Sequence, residues 1–251
     1  MATNTRPTKV PMDRNRKIAL AAGALYIATF VTSIPAVGLY HTALHDPAFL
    51  TGTGSTGSVA LGAWLEVLCA VTGIGTAVAL YPIVKRASSC RAVGFVASRT
   101  LEAAMIFVGI LSVLSIVTLR SDVAAGTDPA TLTGSWHSLV AVHDWTFLMG
   151  PGFMPALNAM FLATVLYRTR LVPRIIPTVG LIGAPLLFLS STVTLFGGWE
   201  QLSRPAALLA FPIAAWEFSV GMWMLVKGFN SSPVLESSDE VPTVYVTAAA
   251  A

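Results

Sequence analysis

Long apolar stretches are the feature that most constrains what this chain can fold into. A helix that crosses the hydrocarbon core of a bilayer needs about 20 consecutive, mostly apolar residues. Six stretches meet that length, and they span residues 18–40, 59–84, 92–119, 139–167, 175–197 and 205–226. Several of them exceed the minimum, so we expect tilted or kinked helices.

The composition excludes a water-soluble fold. The chain has 251 residues, of which 55% are hydrophobic and only 11% are charged, whereas a soluble domain has about 25% charged residues. We therefore predict an all-α, polytopic bundle of six transmembrane helices whose main partner is the lipid bilayer. No basic helix or basic stripe with interleaved aromatic residues is present, so nucleic acid is not an expected partner.

Basic residues predict the orientation, because cytoplasmic loops of membrane proteins carry an excess of Lys and Arg. One side of the predicted bundle has Arg6, Lys9, Arg14, Arg16, Lys17, Lys85, Arg86, Arg91, Arg168, Arg170, Arg174 and Lys227. The other side has only Arg120 and Arg204, and Arg99 lies inside a helix. Both termini are therefore predicted to be cytoplasmic (N-in, C-in), with the helices in the cell membrane.

Three regions follow from this pattern. Residues 1–17 form a basic cytoplasmic arm, and residues 18–228 form the six-helix transmembrane domain. Residues 229–251 are rich in small, polar and acidic side chains, a composition that favours a disordered cytoplasmic tail.

Ionisable residues within the apolar stretches are the candidate functional residues, because charge at bilayer depth is costly and usually faces a protein interior or a cavity. They are Glu66, Arg99, Glu102, His143, Asp144 and Glu217. We expect the four carboxyl groups and Arg99 to meet near the middle of the bundle. The surplus carboxyls would hold a proton or bind a cationic or hydroxyl-bearing small ligand; alternatively, the group is a polar network that only fixes helix register.

Specific roles can be assigned within this set. Arg99 and Glu102 are three residues apart and share a helix face, and Arg99 would balance Glu66 or Glu217. Asp144 is expected to face the interior. His143, its neighbour, then points about 100° away around the helix, and we favour a structural role for it over a proton relay.

The stretch GPGFMP, residues 150–155, predicts a break in the fourth span. Pro151 and Pro155 each remove a backbone donor and clash with the preceding helical turn, and two glycines accompany them. Broken helices of this kind occur at transporter binding sites. Taken alone, the stretch favours a packing kink, since Gly and Pro are common in membrane helices, and Asp144 within two turns of the break favours the functional interpretation.

Signals for cofactor or metal chemistry are weak. His41, His45, Asp46 and His137 lie near the ends of two spans, and together they would suit a zinc-dependent enzyme acting on a lipid-type substrate. Nothing in their spacing fixes a metal geometry, so we predict no metal and no cofactor. The GTGSTG stretch at 52–57 is interpreted as a flexible loop, because it lacks the strand and helix of a dinucleotide site.

Several phrases resemble a bacterial integral membrane family, domain of unknown function forty-three eighty-six. They include LGAWLEVLCAVTGIGTAVALYPIVKR, GFVASRTLEAAMIFVGILSVLS, HDWTFLMGPGF and WEFSVGMWMLVKGF, in that order along the chain. The resemblance covers roughly residues 16–229 and implies a six-helix membrane protein. Its polar phrases contain the same six candidate residues, and it implies no activity.

Three functions remain open from the sequence. The favoured hypothesis is binding and passage of a small solute or proton through a carboxylate-lined cavity, by one copy or a dimer. The metal-dependent enzyme is less favoured, because G-x-S-x-G, H-E-x-x-H and Walker A signatures are missing from the sequence. The third possibility is a non-catalytic partner subunit.

Overall fold

The computed structural model describes residues 12–236, and these residues form helices and connecting loops without a β-strand. Six of the helical segments are long and apolar enough to cross a membrane. The prediction of an all-α bundle with six membrane spans is therefore confirmed, and the chain is a multi-pass membrane protein.

The helices in chain order are α1 Arg14–His45, α2 Thr56–Ala87, α3 Ser89–Ala124, α4 Pro129–Phe147, α5 Met154–Thr169, α6 Ile175–Leu195, α7 Arg204–Val226 and the short α8 Pro233–Glu236. A 3₁₀ turn, Pro47–Thr51, follows α1, and a π-helical turn, Leu148–Gly152, joins α4 to α5 so that the two make a single span.

Several helices extend beyond the apolar stretches that predicted them. The fourth span begins at Pro129 and not at residue 139, because Asp128 accepts a hydrogen bond from the backbone N–H of Ala130 and Pro129 occupies the first turn. Ser55 and Ser88 similarly cap α2 and α3 through backbone N–H groups. Polar caps of this kind lie outside the hydrophobic pattern that identifies a span.

The helices pack as a closed series. α1 lies along α2, α2 along α3, and α3 against α4 and α5; α6 packs on α7, and α7 returns to α1. At the end of the bundle where α1 begins, Arg16 donates hydrogen bonds to the carbonyls of Met224 and Leu225, each at 2.8 Å. We call this the basic end, and the opposite end, near residues 45–56 and 196–204, the far end.

Residues 52–57 do not form a loose linker at the far end. The Arg120 guanidinium donates to the carbonyl oxygens of Gly52, Thr53 and Gly54 at 3.0 to 3.2 Å, and it stacks on the Phe49 ring. Gly52 and Gly54 have positive φ angles of 127° and 71°, which allow the backbone to turn around the guanidinium. The loop is therefore held in place by one side chain from α3.

The apolar core is divided in two along the bundle axis. The core at the basic end combines residues of α1, α2, α3, α5, α6 and α7, including Tyr26, Leu80, Phe95, Leu162 and Trp216. The core at the far end includes Tyr40, Phe49, Ile116 and Trp136, and its described members come only from α1 to α4 and the 3₁₀ turn. The described members of the far-end core thus include no residue of α6 or α7.

The predicted arm and tail fall largely outside the described residues, which exclude 1–11 and 237–251. The first residues of the predicted tail are described and contact the loop between α5 and α6. The Asn230 N–H donates to the Leu171 carbonyl and the Ser232 hydroxyl to the Thr169 carbonyl, both at 2.8 Å.

Close contact between α1 and α7 at the basic end depends on glycine. A Cβ on Gly23 would lie 2.5 Å from the Leu225 nitrogen and 2.7 Å from the Gly221 oxygen, and backbone atoms cannot yield without separating the helices. We expect Gly23→Ala to destabilise the protein by about 1–3 kcal/mol and to lower its unfolding temperature in detergent.

Gly38→Ala is the matched control on the same helix, because a Cβ there meets no heavy atom within 4 Å. It should leave the unfolding temperature unchanged or slightly higher, since alanine is the better helix former. Equal unfolding temperatures for the two variants would contradict the proposed packing of α1 on α7.

Candidate functional site

An ion triad lies between the two apolar cores. Arg99 of α3 is only 5% exposed, and its Nη1 lies 3.0 Å from Glu102 Oε2 on the same helix. Its Nη2 lies 2.5 Å from Glu217 Oε1 on α7. The predicted Arg99–Glu102 pair is therefore present, and of the two alternatives for the second partner the structure shows Glu217.

An amide on α5 completes this network. Asn158 Nδ2 donates to Glu102 Oε2 at 2.7 Å, and Asn158 Oδ1 accepts from the Ser98 hydroxyl at 2.6 Å. Glu102 Oε2 thus receives hydrogen bonds from both Arg99 and Asn158. Since buried charge requires such partners, Asn158 adds a second hydrogen bond to the carboxylate that Glu102 shares with Arg99.

Aromatic rings also surround the guanidinium. The Arg99 Cζ lies 5.3 Å from the centre of the Tyr26 ring and 5.9 Å from that of Phe95, both within the range of cation–π attraction. Tyr26 and Phe95 belong to the core at the basic end. The cation is therefore anchored on the surface of that core, facing the far end.

Glu66 of α2 is not a partner of Arg99. Its Oε2 accepts a hydrogen bond from the Tyr40 hydroxyl of α1 at 3.1 Å, which ties the two helices together at this level. No cation contacts Glu66 among the described residues. Within residues 12–236, the hydrogen-bond partner of Glu66 is thus a neutral hydroxyl, and His143 lines the same cavity beside it.

The prediction that Asp144 faces the interior is wrong. The Asp144 side chain is 63% exposed, whereas His143 is the buried member of the pair. His143 lies between the rings of Tyr40 and Phe147, and its Nδ1 is 3.2 Å from Asp144 Oδ1. The buried face of α4 packs on α3, and Asp144, one residue further around the helix, falls outside that contact.

The break in the fourth span is present as predicted. Residues Leu148–Gly152 form a π-helical turn, and the Phe153 N–H donates to the Leu148 carbonyl at 3.1 Å. Pro151 lies within the turn, and Ser191 of α6 donates to the Gly152 carbonyl at 2.9 Å. A Cβ on Gly150 would lie 2.7 Å from the Met105 Cβ, so glycine lets the turn approach α3.

The triad lies at the bottom of a cavity of about 310 Å³, which we call the inner cavity. Glu66, Arg99, Glu102 and Glu217 all line it, and so does Cys69. The remaining walls are mostly apolar and come from α1, α2, α3, α6 and α7 together with Phe147, Pro151 and Pro155. The cavity therefore presents three carboxyl groups and one guanidinium to whatever occupies it.

A second cavity of about 450 Å³, the vestibule, lies toward the far end. His143 and Asp144 line it, together with His45 and the loop residues Glu200 and Gln201. Val37, Glu66 and Phe147 line both cavities. Four of the predicted residues therefore share the inner cavity, His143 and Asp144 belong to the vestibule, and Glu66 stands where the two meet.

The four residues considered for a metal site do not converge. The His41 and His45 rings stack with centroids 4.6 Å apart, while His137 packs against Trp136. Asp46 accepts a hydrogen bond from the Ala48 N–H at 2.9 Å and starts the 3₁₀ turn. Within residues 12–236, no group of three His, Cys, Asp or Glu side chains is placed to hold a metal ion.

Two neutral residues of the site were missed by the search for ionisable groups. Asn158 and Tyr40 are both buried, and each hydrogen-bonds a carboxylate of the inner cavity. A signal for Asn158 exists in the sequence, because an amide inside an apolar helix also needs a polar partner. Tyr40 carries no comparable signal, since tyrosine is common at the ends of spans.

A comparison with protein families finds one match, which covers residues 21–228. The chain belongs to the family described as Domain of unknown function (DUF4386). The matched region of this DUF4386 protein runs from α1 to the end of α7 and contains both cavities and all six candidate residues. The family resemblance seen in the sequence is thus confirmed.

No curated protein and no solved structure matches this DUF4386 chain. Its function must therefore be argued from the two cavities and the side chains that line them.

The ion triad predicts non-additive mutational effects. Arg99→Met leaves Glu102 and Glu217 buried without their cation, and breaking a buried pair in this way costs about 3–5 kcal/mol. Adding Glu102→Gln and Glu217→Gln removes both carboxylates, so the triple variant should recover part of that loss. The free energy of unfolding in mixed micelles measures the difference.

Asp122→Asn is the control, because Asp122 lies on α3 near the far end and outside both cavities. It should change stability little, with or without Arg99→Met. Additive effects of the arginine and glutamate substitutions would show that the triad does not act as one unit.

Proposed function

We propose that the protein binds a small cationic solute in the inner cavity and passes it, or protons that replace it, across the membrane. The observation that supports this proposal is the charge of the cavity, where Glu66, Glu102 and Glu217 face a single arginine. Arg99 and Asn158 share Glu102 Oε2, and Arg99 also pairs with Glu217 Oε1. The acceptors that this proposal gives to a ligand are therefore Glu66, whose hydrogen-bond partner Tyr40 is neutral, and the second oxygen of Glu217.

In this proposal, the vestibule is the route to the inner cavity. Asp144 and Glu200 line the vestibule, so a cation that enters from the far end meets carboxylates before it reaches Glu66. Clefts lined by one sign of charge concentrate ions of the opposite sign. Asp144 thus attracts the solute near the broken span, and Glu66 receives it at the junction.

The proposed orientation places the basic end in the cytoplasm and the vestibule on the outside. It rests on the excess of Lys and Arg in the loops of the basic end. The core at that end separates the inner cavity from the cytoplasm in this conformation, so passage requires a second arrangement in which the core opens.

The parts that would move are the interrupted helices. Pro35, Pro185 and Pro212 lie inside α1, α6 and α7, and the π-helical turn interrupts the fourth span next to Phe147. Transporter helices commonly break where they line a binding site. Movement of Phe147, which lines both cavities, would change the passage between vestibule and inner cavity.

Cys69 provides a native reporter for this proposal, because it lines the inner cavity while Cys90 is exposed at the basic end. In a Cys90→Ser background, Cys69 should react faster with a cationic methanethiosulfonate (trimethylammonium-ethyl) than with an anionic one (sulfonato-ethyl), after each rate is divided by that of free 2-mercaptoethanol. The carboxylates attract the first reagent and repel the second.

Glu66→Gln and Glu217→Gln should each reduce this cation preference several-fold, because each removes one negative charge from the cavity. Asp122→Asn serves as the matched control, since it removes a negative charge outside both cavities. Equal normalised labelling rates of Cys69 by the cationic and anionic reagents in the Cys90→Ser protein would overturn the proposal. A rate ratio that the two glutamine variants leave unchanged would overturn it as well.

The proposed orientation makes a separate prediction for intact cells. Applied from outside, the membrane-impermeant cationic reagent should label Cys69 through the vestibule and leave Cys90 unlabelled until the cells are broken. Labelling of Cys90 in intact cells would show the opposite orientation.

A further inference from the structure

The inner cavity also faces the bilayer through a gap between α1 and α7. Ile34 of α1 is 68% exposed and Val37 is 40% exposed, yet both line the inner cavity. Ala214 of α7 is likewise exposed and lines the same cavity. Residues on facing helices that belong to both the outer surface and the cavity wall mark the rim of a lateral opening.

The gap begins where the tight packing of α1 and α7 ends. From the basic end, Gly23 contacts the backbone at Leu225, and Tyr26 packs on Gly221. One turn further, the rings of Phe30 and Phe218 meet edge to face with centroids 5.7 Å apart. Beyond that pair α7 lines the cavity with Ala210, Ile213 and Ala214. Ile213 is buried in the core at the basic end, so the exposed α7 residue at the gap is the small Ala214.

The opening lies at the depth of the lipid chains. Ile34 is about 16 Å from the far end of α1, and Ala214 is about 15 Å from the far end of α7, at 1.5 Å of rise per residue. Both therefore lie about half a hydrocarbon thickness from that end. A molecule that crosses this opening arrives from the apolar part of the bilayer and not from water.

The charge of the inner cavity indicates which head group such a molecule carries. Glu217 lies three residues after Ala214 on α7 and so one turn deeper on the same face, and its carboxylate lines the inner cavity together with Glu66 and Glu102. A head group that follows an alkyl chain through the opening meets this surplus of carboxyl groups over the single Arg99.

We propose that the ligand of the inner cavity is an amphipathic cation, an alkyl amine or quaternary ammonium, that reaches Glu217 sideways from the bilayer with its chain left in the α1–α7 opening. This inference rests on the proposed function and narrows it to one class of solute. In this proposal the exposed residues at the rim of the opening contact the alkyl chain of the ligand as well as lipid.

The test uses the Cys90→Ser protein in nanodiscs and measures protection of Cys69 from N-ethylmaleimide by mass spectrometry. Three probes separate the contributions of chain and charge. Dodecyltrimethylammonium has both, tetramethylammonium has the charge alone, and dodecanol has the chain alone. We expect dodecyltrimethylammonium to protect Cys69 at a total concentration at least tenfold below that of the other two.

The opening is tested by filling it. Ala214→Phe should raise the protective concentration of dodecyltrimethylammonium about tenfold, which corresponds to about 1.4 kcal/mol. Ile34→Trp narrows the gap from the opposite helix and should also raise the protective concentration. Because the two substitutions lie on different helices, the test does not depend on the correct folding of a single variant. Ala207→Phe is the control, because Ala207 is exposed on the same face of α7 two turns away and lines neither cavity.

The outcomes distinguish this inference from the proposed function. Protection by tetramethylammonium and dodecyltrimethylammonium at equal concentrations, or protection that both rim variants leave unchanged, overturns the lateral route and the amphipathic ligand. The absence of protection by any probe overturns them as well. In each case the cation preference of Cys69 labelling still decides whether the cavity accepts cations from the vestibule.

Discussion

A positive charge held at bilayer depth is the constraint on which the rest of the site depends. Arg99 cannot release its proton to become neutral, so the fold must surround it with acceptors. It does so with Glu102 and Glu217, which lie on α3 and α7, while Asn158 connects α5 to the same network. The register of these three helices is therefore fixed by one cation, and the apolar cores pack above and below it.

The two apolar cores are built by different sets of helices, and this makes the two ends of the bundle different. Every long helix except α4 contributes to the core at the basic end, whereas the described core at the far end is built by α1 to α4 and the 3₁₀ turn. The vestibule lies beside α4, and Glu66 is the carboxyl group of the inner cavity that also lines it. The same network can thus satisfy a structural need and leave negative charge free for a ligand.

Much of this arrangement could be predicted from the sequence, because the cost of burying charge in lipid selects few positions. Glu66, Arg99, Glu102 and Glu217 do line one cavity, and the break in the fourth span is where the prolines indicate it. The helical ends were less predictable, since caps such as Asp128 lie outside the apolar pattern.

The cost of burying charge does not predict the position of a carboxylate that can reach a solvent-accessible surface. It assigned Asp144 to the interior, but the vestibule lets Asp144 remain exposed, and the less polar His143 takes the buried position against α3. A sequence does not reveal a vestibule, because its walls come from α1, α4 and the loop between α6 and α7. For the same reason the choice between Glu66 and Glu217 as the partner of Arg99 required the three-dimensional packing.

The π-helical turn has a consequence for the angular phase of the fourth span. A turn that holds one extra residue rotates everything after it by about 100° relative to an uninterrupted α-helix. Asn158 lies 15 residues after His143, on the other side of this turn, so the turn changes the angle between the two side chains from about +60° in an uninterrupted helix to about −40°. The extra residue thus sets the angle at which the half of the span with Asn158 meets Glu102, relative to the half with His143 that lines the vestibule.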